Sequence, residues 1–419
     1  MYQDNCKLFI QGSVNMRTFA KSTKLNNVCY DIRGPVMDEA NRMIAQGESI
    51  IKLNIGNPAP FDFNAPDYII DEMSAHLRDA QGYSDSHGIA RAREAIKAYH
   101  ATKGVVAQSI DNIYTGNGVS ELITMSMQAL LDNGDEVLVP APDYPLWTAS
   151  VTLSGGNAVH YICDEASDWY PDIEDMRSKI TDKTKAVVVI NPNNPTGAVY
   201  PMEILQQIVD LAREHELIIF ADEIYDRLCM DGIKHTSIAS LAQDLFCITF
   251  NGLSKSHKIA GFRSGWMVIS GDLNRAKGYM EGINMLSSMR LCSNVQSQYV
   301  IEYALRDFDK PDEMLLPGGR IYEQRELICK LIDGIDGLTA VRPRAAFYIF
   351  PRLDKEKFGM KDDEQFVLDF LKEKKILLTH GGGFHWEQPD HFRIVYLPNC
   401  DQLTYAMEQM KDFLNTYHQ

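Results

Sequence analysis

Short apolar runs alternate with amphipathic segments between about residue 112 and residue 270. Each run is four to six residues long and rich in Val, Ile, Leu and Phe, which is typical of strands buried on both faces. The runs occupy residues 136–139, 158–161, 185–190, 217–221, 246–250 and 265–269. Together with the helical segments between them, they predict an α/β fold with a doubly wound, mostly parallel sheet.

The segments on either side follow a looser pattern. Apolar residues at helical spacing predict a helix over 31–47, and a strand is predicted from Lys52. After about residue 318 the pattern predicts a long helix (318–334), short strands (338–341, 346–350 and 375–379) and a closing helix (401–416). This mixture is typical of a smaller α+β domain to which both termini contribute.

A chain of 419 residues is too long for one simple core, so we expect two domains. The predicted parts are an N-terminal extension (1–23), a large domain (61–305) and a small domain (24–60 with 306–419). Residues 1–15 have no apolar core of the kind that secretory signals carry. We interpret them as an upstream addition, with Met16 as the natural start.

Composition narrows the class of protein. The net charge of −16 disfavours a general binder of nucleic acid or of acidic membranes. No apolar run approaches the roughly 18 residues of a transmembrane helix. The eight cysteines are scattered without a CxxC pair, which indicates reduced thiols. We therefore expect a cytoplasmic protein with small-molecule substrates and no bound metal.

Polar side chains follow three neighbouring strands of the predicted sheet. The first strand ends in Asn-Pro-Asn-Asn-Pro-Thr-Gly (191–197), the second in Asp222 with Tyr225 close behind, and the third in Ser254 and Lys255, followed by Arg263. Ligands bind at this edge of an open α/β sheet. An amide, a carboxylate, a phenol, an amine and a guanidinium together suit a phosphorylated aromatic aldehyde. The predicted cofactor is pyridoxal phosphate.

Each residue of this set has a proposed role and a structural alternative. Lys255 would bond to the cofactor aldehyde, although a strand-end lysine is usually solvated. Asp222 would hold the proton on the pyridine nitrogen, or it caps a helix. Asn194 and Tyr225 would contact the ring oxygen, or they form a turn and part of the core.

The cofactor phosphate needs amide donors and a cation. Thr115-Gly-Asn-Gly118 opens a predicted helix whose first residues include Ser120, and helix N-termini bind anions. Ser254 and Arg263 flank Lys255 suitably. The ordinary interpretation of the glycine-rich helix start is a capped helix. Tyr144 could stack on the cofactor ring, and the ordinary interpretation is a buried aromatic side chain.

Two further patterns lie near the C-terminus. Arg393 alternates with apolar residues on a predicted strand, where a guanidinium fork could bind a substrate carboxylate or form a surface ion pair. His380, His385 and His391 lie close together in sequence, but their spacing matches no usual ligand motif. We therefore favour the interpretation without a metal.

The ordered motifs resemble the class I/II aminotransferases, which are fold-type I pyridoxal-phosphate enzymes. The resemblance rests on residues 191–197, Asp222-x-x-Tyr225, Ser254-Lys255 and Gly-Phe-Arg263, and it extends from about Lys24 to the C-terminus. Within the class, Asn54-Ile-Gly-Asn-Pro-Ala-Pro60 and Met289-Arg-Leu-Cys-Ser-Asn294 look like the bacterial glutamate–pyruvate (alanine) aminotransferases. The resemblance implies a seven-stranded large-domain sheet and a homodimer.

The resemblance also implies roles for individual residues. Catalysis falls to Lys255, Asp222 and Tyr225. The implied cofactor contacts are Val119, Ser120, Tyr144, Asn194, Asp222, Tyr225, Ser254, Lys255 and Arg263, with Tyr83 reaching the phosphate across the dimer interface. The implied substrate contacts are Gly56, Asn194 and Arg393, and we add Arg290 as the candidate for a second carboxylate.

The expected reaction is amino transfer between an L-amino acid and a 2-oxo acid, with L-alanine and 2-oxoglutarate as the leading pair. Alternatives are a C–S β-lyase and an aminotransferase that prefers another amino acid, such as a valine–pyruvate or aromatic enzyme. A regulator with this fold would need a DNA-binding domain, and too few residues precede the matched region. The chain departs from the family pattern at Gly252, Ala345 and His380, which bears on substrate choice.

Overall fold

The computed structural model describes residues 19–28, 34–306, 308, 310 and 312–419. Its α-helices are α1 (Pro35–Ala45), α2 (Asp67–Ala75), α3 (Ala90–Ala101), α4 (Val119–Leu130), α5 (Leu146–Leu153), α6 (Ile173–Ser178), α7 (Met202–Glu214), α8 (Leu253–Ser256), α9 (Lys277–Met289), α10 (Val295–Ala304), α11 (Arg320–Asp333), α12 (Lys355–Phe358), α13 (Asp363–Lys374) and α14 (Cys400–Leu414). None of the helices in this part of the chain combines the length and the apolar character needed to span a bilayer.

The strands fall into one large sheet and several small ones. They are β1 (Ile51–Lys52), β2 (Ile113–Asn117), β3 (Glu136–Ala141), β4 (Asn157–Asp164), β5 (Tyr170–Pro171), β6 (Thr184–Ile190), β7 (Ile218–Asp222), β8 (Cys247–Gly252), β9 (Ser264–Ser270), β10 (Leu338–Thr339), β11 (Tyr348–Ile349), β12 (Arg352–Leu353), β13 (Ile376–Leu377), β14 (Thr379–His380) and β15 (Phe392–Val395). All six predicted large-domain runs are strands, with ends shifted by at most three residues.

The large sheet has the order β2-β9-β8-β7-β6-β3-β4-β5. Strands β4, β3, β6, β7 and β8 are parallel neighbours, whereas β9 is antiparallel to both β8 and β2. The seven expected strands are therefore present and mostly parallel. The eighth strand, β5, is a two-residue addition that pairs with β4 at the edge and has too little apolar character to be predicted.

Side chains on the two faces of this sheet belong to two different apolar clusters. In β6, Val187 and Val189 face one cluster, and Ala186, Val188 and Ile190 face the other. This alternation follows from the two-residue period of a strand. Helices cover both faces, which explains why the strands read as continuous apolar runs.

A third apolar cluster joins α1 to the C-terminal third of the chain. It packs α11, α13 and α14 against the short sheets β1-β13 and β11-β15-β14. A few large-domain side chains, such as Tyr225 and Leu228, also belong to it. This grouping supports the predicted small domain of residues 24–60 and 306–419, although its exact boundaries stay a prediction. Most of the predicted N-terminal extension lies outside the described residues.

Candidate active site

A cavity of about 240 Å³ lies at the carboxyl edge of the large sheet, between the sheet and the small domain. Strands β6, β7 and β8 end there, and antiparallel β9 begins there. Eleven of the predicted site residues line it: Gly56, Val119, Ser120, Tyr144, Asn194, Asp222, Tyr225, Ser254, Lys255, Arg263 and Arg393. The fold therefore brings together side chains that are up to 337 positions apart in the chain.

Asp222 is the last residue of β7 and is 3% exposed. Its carboxylate accepts hydrogen bonds from the Trp147 indole (3.1 Å) and from the Ile224 amide (3.3 Å). Burial raises the pKa of Asp222 to about 6, and these two donors oppose that rise only in part. A buried carboxylate whose hydrogen-bond donors are neutral is suited to pair with a positively charged group of a ligand.

Lys255 lies in the short helix α8, directly after β8. Its Nζ donates to the Gly56 carbonyl oxygen at 2.7 Å and lies 5.9 Å from the centre of the Phe347 ring. A Cβ atom at Gly56 would collide with the Tyr348 hydroxyl and ring, so the packing of this segment against Tyr348 requires glycine. The amine thus reaches across the cavity and faces the same space as Asp222.

Val119 and Ser120 begin α4, where unpaired amides and the helix dipole favour an anion. Arg263 lies beside them, and its guanidinium donates to the carbonyl oxygens of Ala260 (2.8 Å) and Asn117 (3.2 Å). Gly118 has a φ of 77°, and a Cβ there would collide with the Arg263 guanidinium. Ser254 completes the cavity lining at this end. We call Val119, Ser120, Ser254 and Arg263 the anion cradle, because a helix start, hydroxyl groups and a cation meet there.

At the opposite end, Arg393 projects from β15 and is 8% exposed. Its Nη1 donates to Asn194 Oδ1 at 2.9 Å, and its Nη2 donates to the Asn54 carbonyl oxygen. The guanidinium carbon lies 4.7 Å from the Tyr348 ring centre and 4.6 Å from that of Phe384. This orientation, fixed by hydrogen bonds and two aromatic faces, suits a carboxylate ligand.

The matched family model is "Aminotransferase class I and II", and it covers residues 48–409. The chain belongs to this family. This chain is 56% identical over 404 residues to the glutamate-pyruvate aminotransferase AlaA of Haemophilus influenzae. The match covers 96% of this chain and 100% of the relative.

Solved structures agree with that assignment. An aminotransferase from Escherichia coli superposes with a TM-score of 0.94 at 55% identity, covering 96% of this chain and 100% of the other. The alanine aminotransferase from Pyrococcus furiosus gives a TM-score of 0.89 at 37% identity, covering 94% and 100%. The expected α/β aminotransferase fold is confirmed.

Two predicted residues of the aminotransferase do not line the cavity. Arg290 forms an ion pair with Glu121 and donates to the carbonyl oxygens of Thr115 (2.7 Å) and Ser86 (3.1 Å). Arg290 does not line the cavity within one chain, so its role at a second substrate carboxylate stays a prediction. Tyr83 is 82% exposed, so its role at a dimer interface stays a prediction.

The departures from the family pattern have local explanations. A Cβ at Gly252 would lie 2.6 Å from the Ser264 carbonyl oxygen, so this strand end has no room for a serine. Ala345 is fully buried and donates its amide to Gly197 at 3.0 Å. His380 is buried, and its Nδ1 lies 3.4 Å from Asp363 Oδ1.

The three C-terminal histidines lie beside different acidic residues. His380 faces Asp363, His385 Nδ1 lies 2.8 Å from Asp143, and His391 Nδ1 lies 2.7 Å from Asp390. Their closeness in sequence therefore reflects three separate contacts and not one ligand set. His380 lies before the turn Gly381–Phe384, His385 ends that turn, and His391 directly precedes β15, so the three side chains face different neighbours.

Sequence reasoning missed several contributors to the cavity. Trp147 holds Asp222, Tyr348 pairs its hydroxyl with that of Tyr225 at 2.9 Å, and Phe384 packs on Arg393. Trp147 follows Tyr144 by three positions at the start of α5, which could have placed it near the same site. No local pattern distinguishes Tyr348 or Phe384 from ordinary core aromatics.

Proposed function

We propose that this aminotransferase uses pyridoxal phosphate to transfer an amino group between L-alanine and 2-oxoglutarate, giving pyruvate and L-glutamate. The observation that carries the proposal is the single cavity shared by Lys255, Asp222, the anion cradle and Arg393. Support for the substrate pair comes from the relatives, which include glutamate-pyruvate aminotransferases and alanine aminotransferases.

The residues present fit the cofactor. The raised pKa of Asp222 shows a buried carboxylate whose charge is poorly compensated, and a protonated pyridine nitrogen would supply the missing cation. The α4 amides, Ser254 and Arg263 suit its phosphate. When bound, pyridoxal phosphate supplies a carbonyl for exchange with an amine and a protonated ring that draws electrons from the substrate Cα.

Side chains around the cavity have separate roles in the proposed reaction. Arg393 binds the α-carboxylate, and the aromatic faces of Tyr348 and Phe384 limit its freedom to move. Lys255 Nζ, on the other side of the cavity, is placed to take the proton from the substrate Cα as general base. Burial keeps the pKa of Tyr225 well above its usual range, so its hydroxyl stays protonated and can donate to a ring oxygen.

Two further parts of the proposal concern the setting of the enzyme. The exposed Tyr83 is suited to reach the site of a second copy of this chain, which supports a homodimer. Six cysteines of the described chain are free thiols, which supports a cytoplasmic location.

The test is a panel of half-reactions with purified holoenzyme, followed by the absorbance change of the cofactor. We expect alanine, glutamate, pyruvate and 2-oxoglutarate to react faster than aspartate, valine or phenylalanine. No reaction with alanine would exclude the proposed substrate pair. Release of ammonia and pyruvate from a sulfur amino acid would indicate β-elimination instead.

A further inference from the structure

A hydrogen-bonded cluster lies beside the cavity at the junction of the two domains. Asp143 is fully buried, and its Oδ1 accepts from His385 Nδ1 at 2.8 Å. Its Oδ2 accepts from Thr148 Oγ1 at 2.7 Å, and the same hydroxyl lies 2.9 Å from His160 Nε2. The rings of His160 and His385 are stacked with their centres 4.6 Å apart.

The donor roles follow from the chemistry of the groups. A carboxylate only accepts hydrogen bonds, so His385 Nδ1 and Thr148 Oγ1 both donate to Asp143. The Thr148 hydroxyl already donates its one proton to Asp143. It can only accept from His160, so His160 Nε2 is the donor. Burial lowers the pKa of His160 to about 4, which keeps its ring neutral in this role. These bonds engage both oxygens of Asp143, and we interpret the cluster as a clamp between two walls of the cavity.

The cluster connects two walls of the cavity. Asp143 directly precedes Tyr144, and its amide donates to the Phe384 carbonyl oxygen at 2.9 Å. His385 directly follows Phe384, whose ring lies 4.6 Å from the guanidinium carbon of Arg393. The cluster thus ties the large-domain wall to the small-domain wall at the point where the carboxylate-binding arginine is supported.

We propose that the Asp143–His385 hydrogen bond is a positioning device for substrate binding. It holds Phe384 against Arg393 and so fixes the guanidinium for the α-carboxylate of any amino-acid substrate. Asp143 and His385 are positioning residues, since neither lines the cavity. This inference rests on the proposed function, because it assigns Arg393 to the substrate carboxylate.

The backbone at His385 allows a clean test. His385 has a φ of 57°, a left-handed conformation that glycine and asparagine tolerate better than other residues. His385→Asn keeps a nitrogen donor close to the position of Nδ1, whereas His385→Gly removes the donor without backbone strain. The two variants therefore differ chiefly in the hydrogen bond.

The measurement is equilibrium binding of propionate and glutarate to each holoenzyme, since these carboxylates resemble the substrates but cannot react. Loss of the bond should weaken both by about tenfold in His385→Gly and raise KM for alanine and glutamate alike, with kcat changed by less than about threefold. His385→Asn should remain within about threefold of the parent enzyme. Cofactor affinity should be unchanged in both variants.

A second variant separates the Asp143–His385 bond from the neighbouring His160–Thr148 bond. His160→Phe keeps an aromatic partner for His385, removes the donor to Thr148, and should bind propionate like the parent enzyme. Equal losses in the asparagine and glycine variants, or weakened binding in His160→Phe, would overturn the proposal. If the glycine variant does not fold, Asp143→Asn removes the charge from the acceptor, and unchanged propionate binding there would overturn it as well.

The same experiment separates this inference from the proposed function. Propionate binding needs no reaction, so it reports on the clamp even if the parent enzyme fails to transaminate alanine. Such a failure would exclude the substrate pair and leave the clamp to be judged by binding alone.

Discussion

The cavity has two ends that are built in different ways. At the large-domain end, Asp222, Lys255 and Arg263 are each attached to a terminus of a strand in one sheet. Hydrogen bonds between strands fix their separations. At the small-domain end, Arg393 and Phe384 come from a four-residue strand and a turn that meet the large domain through individual contacts and not through a shared sheet.

This difference separates chemistry from recognition. The large-domain end belongs to a continuous sheet, and it holds the groups that we propose act on the cofactor. The small-domain end depends on how the domains dock, through contacts such as Lys255 with Gly56 and His385 with Asp143. We therefore expect changes at the first end to act on the rate of the chemical step, and changes at the second to act on substrate binding.

The largest expected effect is that of Lys255→Ala at the large-domain end. Without the amine there is no general base at Cα, so turnover should fall below detection. The fold should survive, because the lysine is only partly buried and follows the strand, and some pyridoxal phosphate should bind noncovalently. Multiple turnovers at the normal rate, measured with alanine and 2-oxoglutarate, would remove Lys255 from its role.

Asp222→Asn should slow deprotonation of Cα by orders of magnitude, because the protonated ring is what draws electrons from Cα. An amide cannot hold the proton on the pyridine nitrogen as a carboxylate does. Single-turnover absorbance measurements give this rate directly. An unchanged rate would mean that Asp222 only caps the chain after β7, and the contrast between the two ends would then be lost.

The same difference explains what could be predicted from the sequence. Residues such as Asn194, Asp222 and Lys255 follow apolar runs, and parallel strands deliver their carboxyl ends to one edge, so local pattern and fold together locate them. Phe384 and His385 carry no such signal, because their roles depend on domain docking. The role of Arg290 stays a prediction, because a helix-end arginine has the same local pattern whether it faces a substrate or Glu121.

Arg393→Ala tests the small-domain end. Loss of a buried bidentate partner should cost about 2–5 kcal/mol in kcat/KM. Alanine and glutamate share the α-carboxylate, so both should lose by similar factors, mainly through KM. Arg393→Lys is the matched control, since it keeps the charge but not the fork. A loss confined to glutamate would instead assign Arg393 to the second carboxylate.

The pKa of Asp222 predicts a pH effect on stability in the cofactor-free protein. The folded state raises this pKa from 3.8 to about 6, so it binds the proton more tightly than the unfolded chain does. The contribution is therefore greatest at low pH and is lost as the pH rises through about 6. Relative to Asp222→Asn, the parent protein should lose roughly 2–3 kcal/mol of unfolding free energy between pH 4 and 7. Denaturant unfolding at both pH values checks this, and a constant difference would contradict it.

The smallest expected effect is that of Arg290→Ala, about 1–2 kcal/mol in cofactor binding. Arg290 pairs with Glu121, which also accepts from the Asn117 amide at 2.8 Å, and the Asn117 carbonyl oxygen receives Arg263. The variant should therefore loosen the anion cradle and raise the dissociation constant of pyridoxal phosphate. Alanine and glutamate should lose activity equally once the cofactor is saturating. Arg290→Lys, which keeps the ion pair but cannot reach both carbonyl oxygens, should be intermediate. A selective loss with glutamate would return Arg290 to the substrate pocket, reached from a second subunit.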